Sequence, residues 1–185
     1  KKCTWVTDIA TIIGFVVKCQ EGIAADTGKV EDLCAIKSLP TVASLKSFLG
    51  SCVYLSRYIK DFATLTAPLY ELERLYKCPS TPLKDKWKPE HQRAFEGVKA
   101  ALVSTPVLAF PNFEKPFILL TDCSDVQKGG VLLQIDDSGV ERPVAYASCR
   151  LNRAEKNYSI QAKEANAGIF CIRKWRKFLL GSPTV

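Results

Sequence analysis

The spacing of the apolar residues changes once along this chain, from intervals of three and four residues to intervals of two. After Thr41 the apolar residues recur at the helical spacing, at Leu45, Phe48, Leu49, Cys52, Leu55, Ile59 and Phe62. After Pro116, three apolar segments with strand character follow, at residues 117–121, 130–135 and 140–148. One element cannot satisfy both periods. The sequence therefore predicts two differently built parts in an α/β (α+β) fold.

Turn and capping residues set the remaining boundaries. The predicted elements are a strand at 11–18, a short helix at 29–37, a helix opened by Pro89, a hairpin turn at 136–139 and a helix at 158–180. We place a mostly helical first region in residues 1–84. The second region, residues 85–185, is expected to hold a linker helix, three antiparallel strands and a further helix.

The chain carries a surplus of positive charge, with 26 Lys and Arg against 19 Asp and Glu, a net charge of +7. Such a surplus suits a polyanion such as nucleic acid, although many basic proteins bind none. No apolar run approaches the roughly 18–20 residues that span a bilayer, so no membrane partner is expected. The sequence contains no Met, which predicts an internal fragment of a longer protein.

Two carboxylates occupy positions from which they could share a metal ion. Asp122 ends an apolar strand, and Glu164 lies in the first turns of the helix expected to pack on that sheet. Carboxylates that converge on divalent cations are required for two-metal phosphodiester hydrolysis. The alternative is that Asp122 caps the next turn and that Glu164 is a solvated helix residue; spacing alone does not decide. His91, the only histidine, has no visible partner and is expected at the surface.

A glycine in the middle of the helix after Thr41 needs a reason. Gly50 costs about 1 kcal/mol relative to Ala at such a position. It forms a stripe with Lys46 and Tyr54 at spacings of four residues. Close approach of a ligand or of another helix would explain a glycine there, and both explanations remain open at this stage.

Six strings occur in one order along the chain: IGFVVKCQEGI, LPTVASLKSFLGSCVYLSRYIKDFATLTAPLYEL, KWKPEHQRAFEGVKAAL, TPVLAFPNFEKPFILLTDCSD, RPVAYASCRLNRAEKNYS and KWRKFLLG. From Ile13 to Val185 this order is similar to that of gypsy-type retrotransposon reverse transcriptases. The resemblance implies the end of the palm and a helical thumb, followed by an incomplete ribonuclease H-like unit. The implied activities are RNA-directed DNA synthesis and hydrolysis of the RNA strand of an RNA–DNA hybrid. It also implies an intracellular location, in the cytoplasm, a retroelement particle or the nucleus.

The same resemblance assigns residues. It implies primer contacts at Ile13 and Gly14, and contacts to duplex or hybrid nucleic acid along the thumb helix at Lys46, Gly50 and Tyr54. Asp122 and Glu164 match the first aspartate and the helix glutamate of the ribonuclease H motif, and would bind Mg²⁺. The third aspartate of that motif is expected after Val185, and the polymerase aspartates before Lys1. The isolated chain is therefore expected to be inactive.

Several residues depart from the family pattern. Gln127 replaces a glycine expected in the turn between the first two strands of the ribonuclease H-like unit. Around Glu164, a glutamate and three apolar residues are replaced by Ala162, Ala165, Asn166 and Gly168. These changes suggest lost core volume and a polar group on the catalytic helix.

Three hypotheses remain: a fragment of an active enzyme, a decayed or domesticated nucleic-acid-binding module, and a truncated copy with an interaction role only.

The strand at 117–121 is expected to be central in the family's fold, with a partner that follows Val185. Without that partner its edge would be unprotected, since residues 117–121 include no charge and no proline. The sequence thus predicts either self-association through this edge or loose packing after Pro116.

Overall fold

The first sheet contains three short antiparallel strands. The computed structural model describes residues 7–19 and 21–184. Its first strands are β1 (Ile9–Ile12), β2 (Phe15–Lys18) and β3 (Gly22–Ala25), in the order β1-β2-β3. The single strand expected at 11–18 is wrong, because a tight turn at Ile13 and Gly14 folds that segment into a hairpin. The strand β3 was not anticipated.

Four helices follow: α1 (Thr27–Ala35), α2 (Val42–Leu55), α3 (Phe62–Leu75) and α4 (Pro89–Val103). The expected start of α2 is confirmed, because the Thr41 side chain accepts from the Ser44 backbone N–H in a capping box. The expected end is wrong. The helix stops at Leu55, and Asp61, with a left-handed φ of 53°, separates it from α3. No helix in the described ranges is both long and apolar enough to cross a bilayer.

The first core lies among α2, α3 and α4. The expected apolar stripe of α2 is buried, and the Phe48 ring meets the edge of Phe95 on α4 at 4.9 Å between centroids. Pro89 is the first residue of α4, as predicted. The expectation for His91 is wrong: the residue is 5% exposed, and its Nδ1 accepts from the Lys88 N–H at 2.9 Å. This capping contact turns the imidazole inward instead of toward solvent.

The second sheet has the predicted three antiparallel strands: β4 (Ile118–Cys123), β5 (Gln127–Ile135) and β6 (Glu141–Arg150), in the order β4-β5-β6. The hairpin turn is confirmed. The Asp136 carboxylate accepts from the backbone of Ser138 and Val140, and Gly139 has a φ of 83°. A helix, α5 (Ile160–Lys174), packs on β4 and β5. It breaks at Trp175 before a short α6 (Arg176–Leu179), so the single helix expected at 158–180 is two.

The outer edge of β4 is partly covered. The Phe117 N–H donates to the Pro183 carbonyl at 2.9 Å, and Phe117 forms a parallel bridge with Thr184. The expectation of an edge without any partner is therefore wrong at its first residue. In the described part of the chain, Ile118–Cys123 pairs with β5 on one side and with no strand on the other.

Candidate nucleic-acid interface and carboxylate site

The turn between β1 and β2 has an uncommon backbone. Ile13 has a φ of 50° and Gly14 a φ of 74°, so both central residues are left-handed. This is the pattern of a type I′ turn, whose twist matches that of paired strands. A β-branched residue is rarely found there and costs about 1–3 kcal/mol. Ile13 is also 81% exposed. The turn thus has a strained backbone at Ile13 and exposes the apolar side chain of this residue to solvent.

Tyr54 connects α2 to this turn. Its hydroxyl donates to the Ile13 carbonyl, and its ring stacks on Phe15 with the centroids 4.6 Å apart and the planes 15° from parallel. The structure therefore brings together three predicted contact residues, Ile13, Gly14 and Tyr54. Phe15 was missed from the sequence, because nothing distinguishes it from the other apolar residues of its strand.

The rest of the predicted stripe on α2 is open. Gly50 is exposed, and a Cβ added there would meet no atom within 4 Å, so packing against another described element does not explain this glycine. Lys46 is half-exposed, and its Nζ lies 3.6 Å from Oε1 of Glu73 on α3. That ion pair positions the ammonium group while leaving it accessible.

The two predicted catalytic carboxylates lie near one thiol. Asp122 pairs with Gly129 in the second sheet, Glu164 lies on α5, and both residues are exposed. The pKa of the Cys123 thiol is raised, first by burial and then by the carboxylates of Glu164 and Asp122, against the opposing charges of Lys163 and Lys128. Both carboxylates therefore lie near this thiol at the end of β4.

A neighbouring ion pair links the start of α5 to the turn between β4 and β5. Lys163 donates to Asp125 at 2.6 Å, and this hydrogen bond holds the pKa of the Asp125 carboxyl below its ordinary value. Among the described residues, neither Asp122 nor Glu164 has a basic side chain within ion-pair distance. Their charges remain available to a cation.

The donor set partly suits Mg²⁺. Carboxylate oxygens are its preferred protein ligands, and it is commonly held by one or two carboxylates together with waters and substrate phosphates. Asp122 and Glu164 supply two such groups. Within residues 7–19 and 21–184, however, no group of three or more His, Cys, Asp or Glu side chains is placed to hold a metal ion.

The departures around Glu164 are accommodated. Asn166 donates to Glu155 Oε1 at 3.0 Å and accepts from Lys128 at 3.4 Å. Lys128 also donates to Glu155, and these bonds, that from Lys128 foremost, lower the pKa of the Glu155 carboxyl to about 2. Asn166, the polar residue expected on this helix, is thus hydrogen-bonded to two partners.

The expected loss of core volume on α5 is wrong. Ala162 and Ala165 are exposed, and a Cβ at Gly168 would meet nothing within 4 Å. The buried face of the helix is formed instead by Ala167 and Cys171.

Comparison with known protein families identifies the second part of the chain, which contains the second sheet and α5. Residues 87–185, a little over half of the chain, match the model of the RNase H-like domain found in reverse transcriptase. The chain belongs to this family. Its second sheet and α5 are therefore the strands and helix of an RNase H-like domain.

The relatives of this RNase H-like chain are retroelement polyproteins. It is 37% identical over 178 residues to the retrovirus-related Pol polyprotein from transposon opus of Drosophila melanogaster, covering 94% of the chain and 18% of that protein. It is 33% identical over 178 residues to the transposon Tf2-3 polyprotein of Schizosaccharomyces pombe, covering 96% of the chain and 13% of that protein. The chain thus spans less than a fifth of the length of either relative.

A solved structure shares the fold. The foamy viral protease-reverse transcriptase, in complex with an RNA/DNA hybrid, superposes with a TM-score of 0.81 at 23% identity. The match covers 96% of this chain and 23% of that one. The likeness includes the first region as well as the RNase H-like domain.

Proposed function

We propose that this chain is the thumb and part of the RNase H-like domain of a retroelement reverse transcriptase, and that it binds duplex or RNA–DNA hybrid nucleic acid through the thumb. The observation that carries the proposal is the contact of Tyr54 with the β1–β2 turn, in which its ring stacks on Phe15 and its hydroxyl donates to the Ile13 carbonyl. It joins the exposed turn and α2 into one surface. The open Gly50 and the accessible Lys46 extend that surface along the helix.

Each residue of this surface has a physical role toward nucleic acid. Gly50 removes the side chain that would keep the helix away from the sugar–phosphate backbone. Lys46 supplies positive charge to a phosphate, and Ile13 offers an apolar contact to a sugar or base. Such contacts fix register and orientation without reading sequence, so the expected binding is sequence-independent and falls with salt.

The carboxylates belong to a second proposed activity, hydrolysis of the RNA strand in the complete polyprotein. Asp122 and Glu164 would hold Mg²⁺, which activates a water and stabilises the leaving oxygen when it is bound. Lys163 would keep α5 in position through Asp125. Because two carboxylates hold two metal ions poorly, we expect little or no cleavage, and no DNA synthesis, by these 185 residues alone.

The alternative is a decayed or domesticated copy. In the sequence, this alternative was supported by the departures from the family pattern around Glu164. Since Asn166 is hydrogen-bonded and Gly168 faces open space, those changes give no structural reason to expect a damaged domain. Nucleic-acid binding is expected under both readings, and cleavage by the complete polyprotein would separate them.

The test is titration of a labelled RNA–DNA hybrid with the 185-residue chain, followed by fluorescence anisotropy at several salt concentrations. Gly50→Leu should weaken binding several-fold by blocking close approach. Gly168→Leu is the matched control, because it changes another helical glycine with open space around it. Absence of binding at low salt, or equal loss in both variants, would contradict the proposed interface.

A further inference from the structure

The stacked pair of Phe15 and Tyr54 has a cation at each ring. The Lys29 ammonium, from α1, lies 4.7 Å from the centroid of Tyr54. The Arg57 guanidinium lies 5.8 Å from the centroid of Phe15, and equally far from that of Tyr58. Four elements, β2, α1, α2 and the short 3-10 helix Ser56–Tyr58 that follows α2, thus contribute to one basic and aromatic cluster.

The two cations of this cluster are not paired with carboxylates, in contrast to Lys46, which pairs with Glu73, and Lys163, which pairs with Asp125. Within the described ranges, no carboxylate lies within 4 Å of Lys29 or Arg57. Asp32 lines the same groove as Lys29 but is farther away than that. A ring face attracts a cation without using its N–H groups, so those donors remain free for an anion.

Lys29 also lies against Gly14. A Cβ built at Gly14 would overlap the Lys29 ammonium, so this ammonium lies directly against the turn. The left-handed φ of 74° explains the glycine itself. The uncompensated charge is therefore built into the surface that Ile13 and Tyr54 form.

We infer that Lys29 and Arg57 are phosphate contacts of this surface, and that their ligand is the phosphodiester backbone of the strand lying along the β1–β2 turn. The inference rests on the proposed nucleic-acid binding and adds two residues outside the α2 stripe to it. Arg57 can donate two parallel N–H groups to a phosphate, whereas Lys29 acts as a point charge. Both contacts are independent of sequence.

The salt dependence of hybrid binding tests this assignment. Each phosphate contact adds about 0.9 to the slope of log K against log salt for a duplex. Lys29→Gln and Arg57→Gln should therefore each lower the slope by about one, and the double variant by about two. Lys86→Gln is the control, since Lys86 likewise lies over an aromatic ring, that of Tyr76 at 4.3 Å, away from this surface.

The outcomes separate the inference from the proposed function. If the unmodified chain fails to bind, the proposed function itself fails, and the phosphate assignment with it. If it binds with a steep salt dependence that both Gln variants retain, the assignment alone is overturned. An equal fall in the Lys86 variant would also overturn it, because diffuse charge would then explain the slope. Lys29→Arg and Arg57→Lys, which keep the charge, should preserve the slope and so exclude a merely structural role.

Discussion

The side-chain amide of Gln127 on β5 donates to the Asp61 carboxylate, just before α3, at 2.6 Å. The carbonyl oxygen of the same amide accepts from the Thr64 N–H at 2.9 Å, and Ser148 Oγ accepts from the Ala63 N–H at 3.0 Å. Asp61 makes no side-chain cap of its own, so the second sheet caps α3 from outside the helix. The sequence predicted Gln127 in a turn, and this prediction is wrong. Gln127 is the first residue of β5 and is 8% exposed.

This external cap predicts a stability effect at a residue that the sequence marked only as a departure. Gln127→Ala should lower the free energy of unfolding by about 1 kcal/mol, because it removes the amide donor of the Asp61 carboxylate and one of the two acceptors of the Thr64 N–H, which also donates to the Asp61 carbonyl. Urea denaturation measures the change. Gln161→Ala, at an exposed position of α5, is the control and should change stability by no more than a few tenths of a kcal/mol. Equal, small effects in both variants would mean that the cap contributes nothing.

The stability of the chain should fall as the pH drops below about 6.5, and His91 should be responsible. Burial, the largest cause, and the charge of Lys88 lower the pKa of His91 from its ordinary 6.5, against the opposing effects of Glu90 and Glu71. A proton therefore binds the unfolded chain more readily, so the stability present above pH 6.5 is lost as the pH falls through that value. Protonation of Nδ1 would also remove the acceptor for the Lys88 N–H.

Urea unfolding at pH 7.5 and pH 5.5 measures this effect, and His91→Gln provides the comparison. Because His91 is the only histidine, the variant should show a clearly smaller difference between the two conditions. An unchanged difference would assign the pH dependence to other groups.

We also propose that the chain self-associates through the open side of β4. Leu120 on this strand is 51% exposed, and the strand's free N–H and C=O groups can pair with a second copy. Leu120→Lys should shift sedimentation toward the monomer by placing a charge at the edge. Ile172→Lys, at 52% exposure on α5, is a control with similar loss of exposed apolar surface. A strictly monomeric parent chain with fully protected Ile118–Cys123 amides in hydrogen exchange would refute the proposal.

Local sequence determined the elements whose stabilising contacts lie within a few residues. Thr41 and Ser44 close a capping box three residues apart, Pro89 opens α4, and Asp136 accepts from N–H groups inside its own turn. The change of apolar period after Pro116 likewise anticipated the second sheet. In each case the sequence pattern and the interaction extend over the same few residues, so the pattern predicts the interaction.

Only the tertiary structure decided contacts between residues far apart in the chain. Tyr54 and Ile13 are separated by 41 residues, and Gln127 and Asp61 by 66. Periodicity identifies the apolar face of an element, but it does not specify which polar groups meet once elements pack. The same reason explains why Asn166 looked disruptive in the sequence: its partner Lys128 lies 38 residues away. The stripe of Lys46, Gly50 and Tyr54 was visible in the sequence, whereas the turn and the cations beside it required the fold.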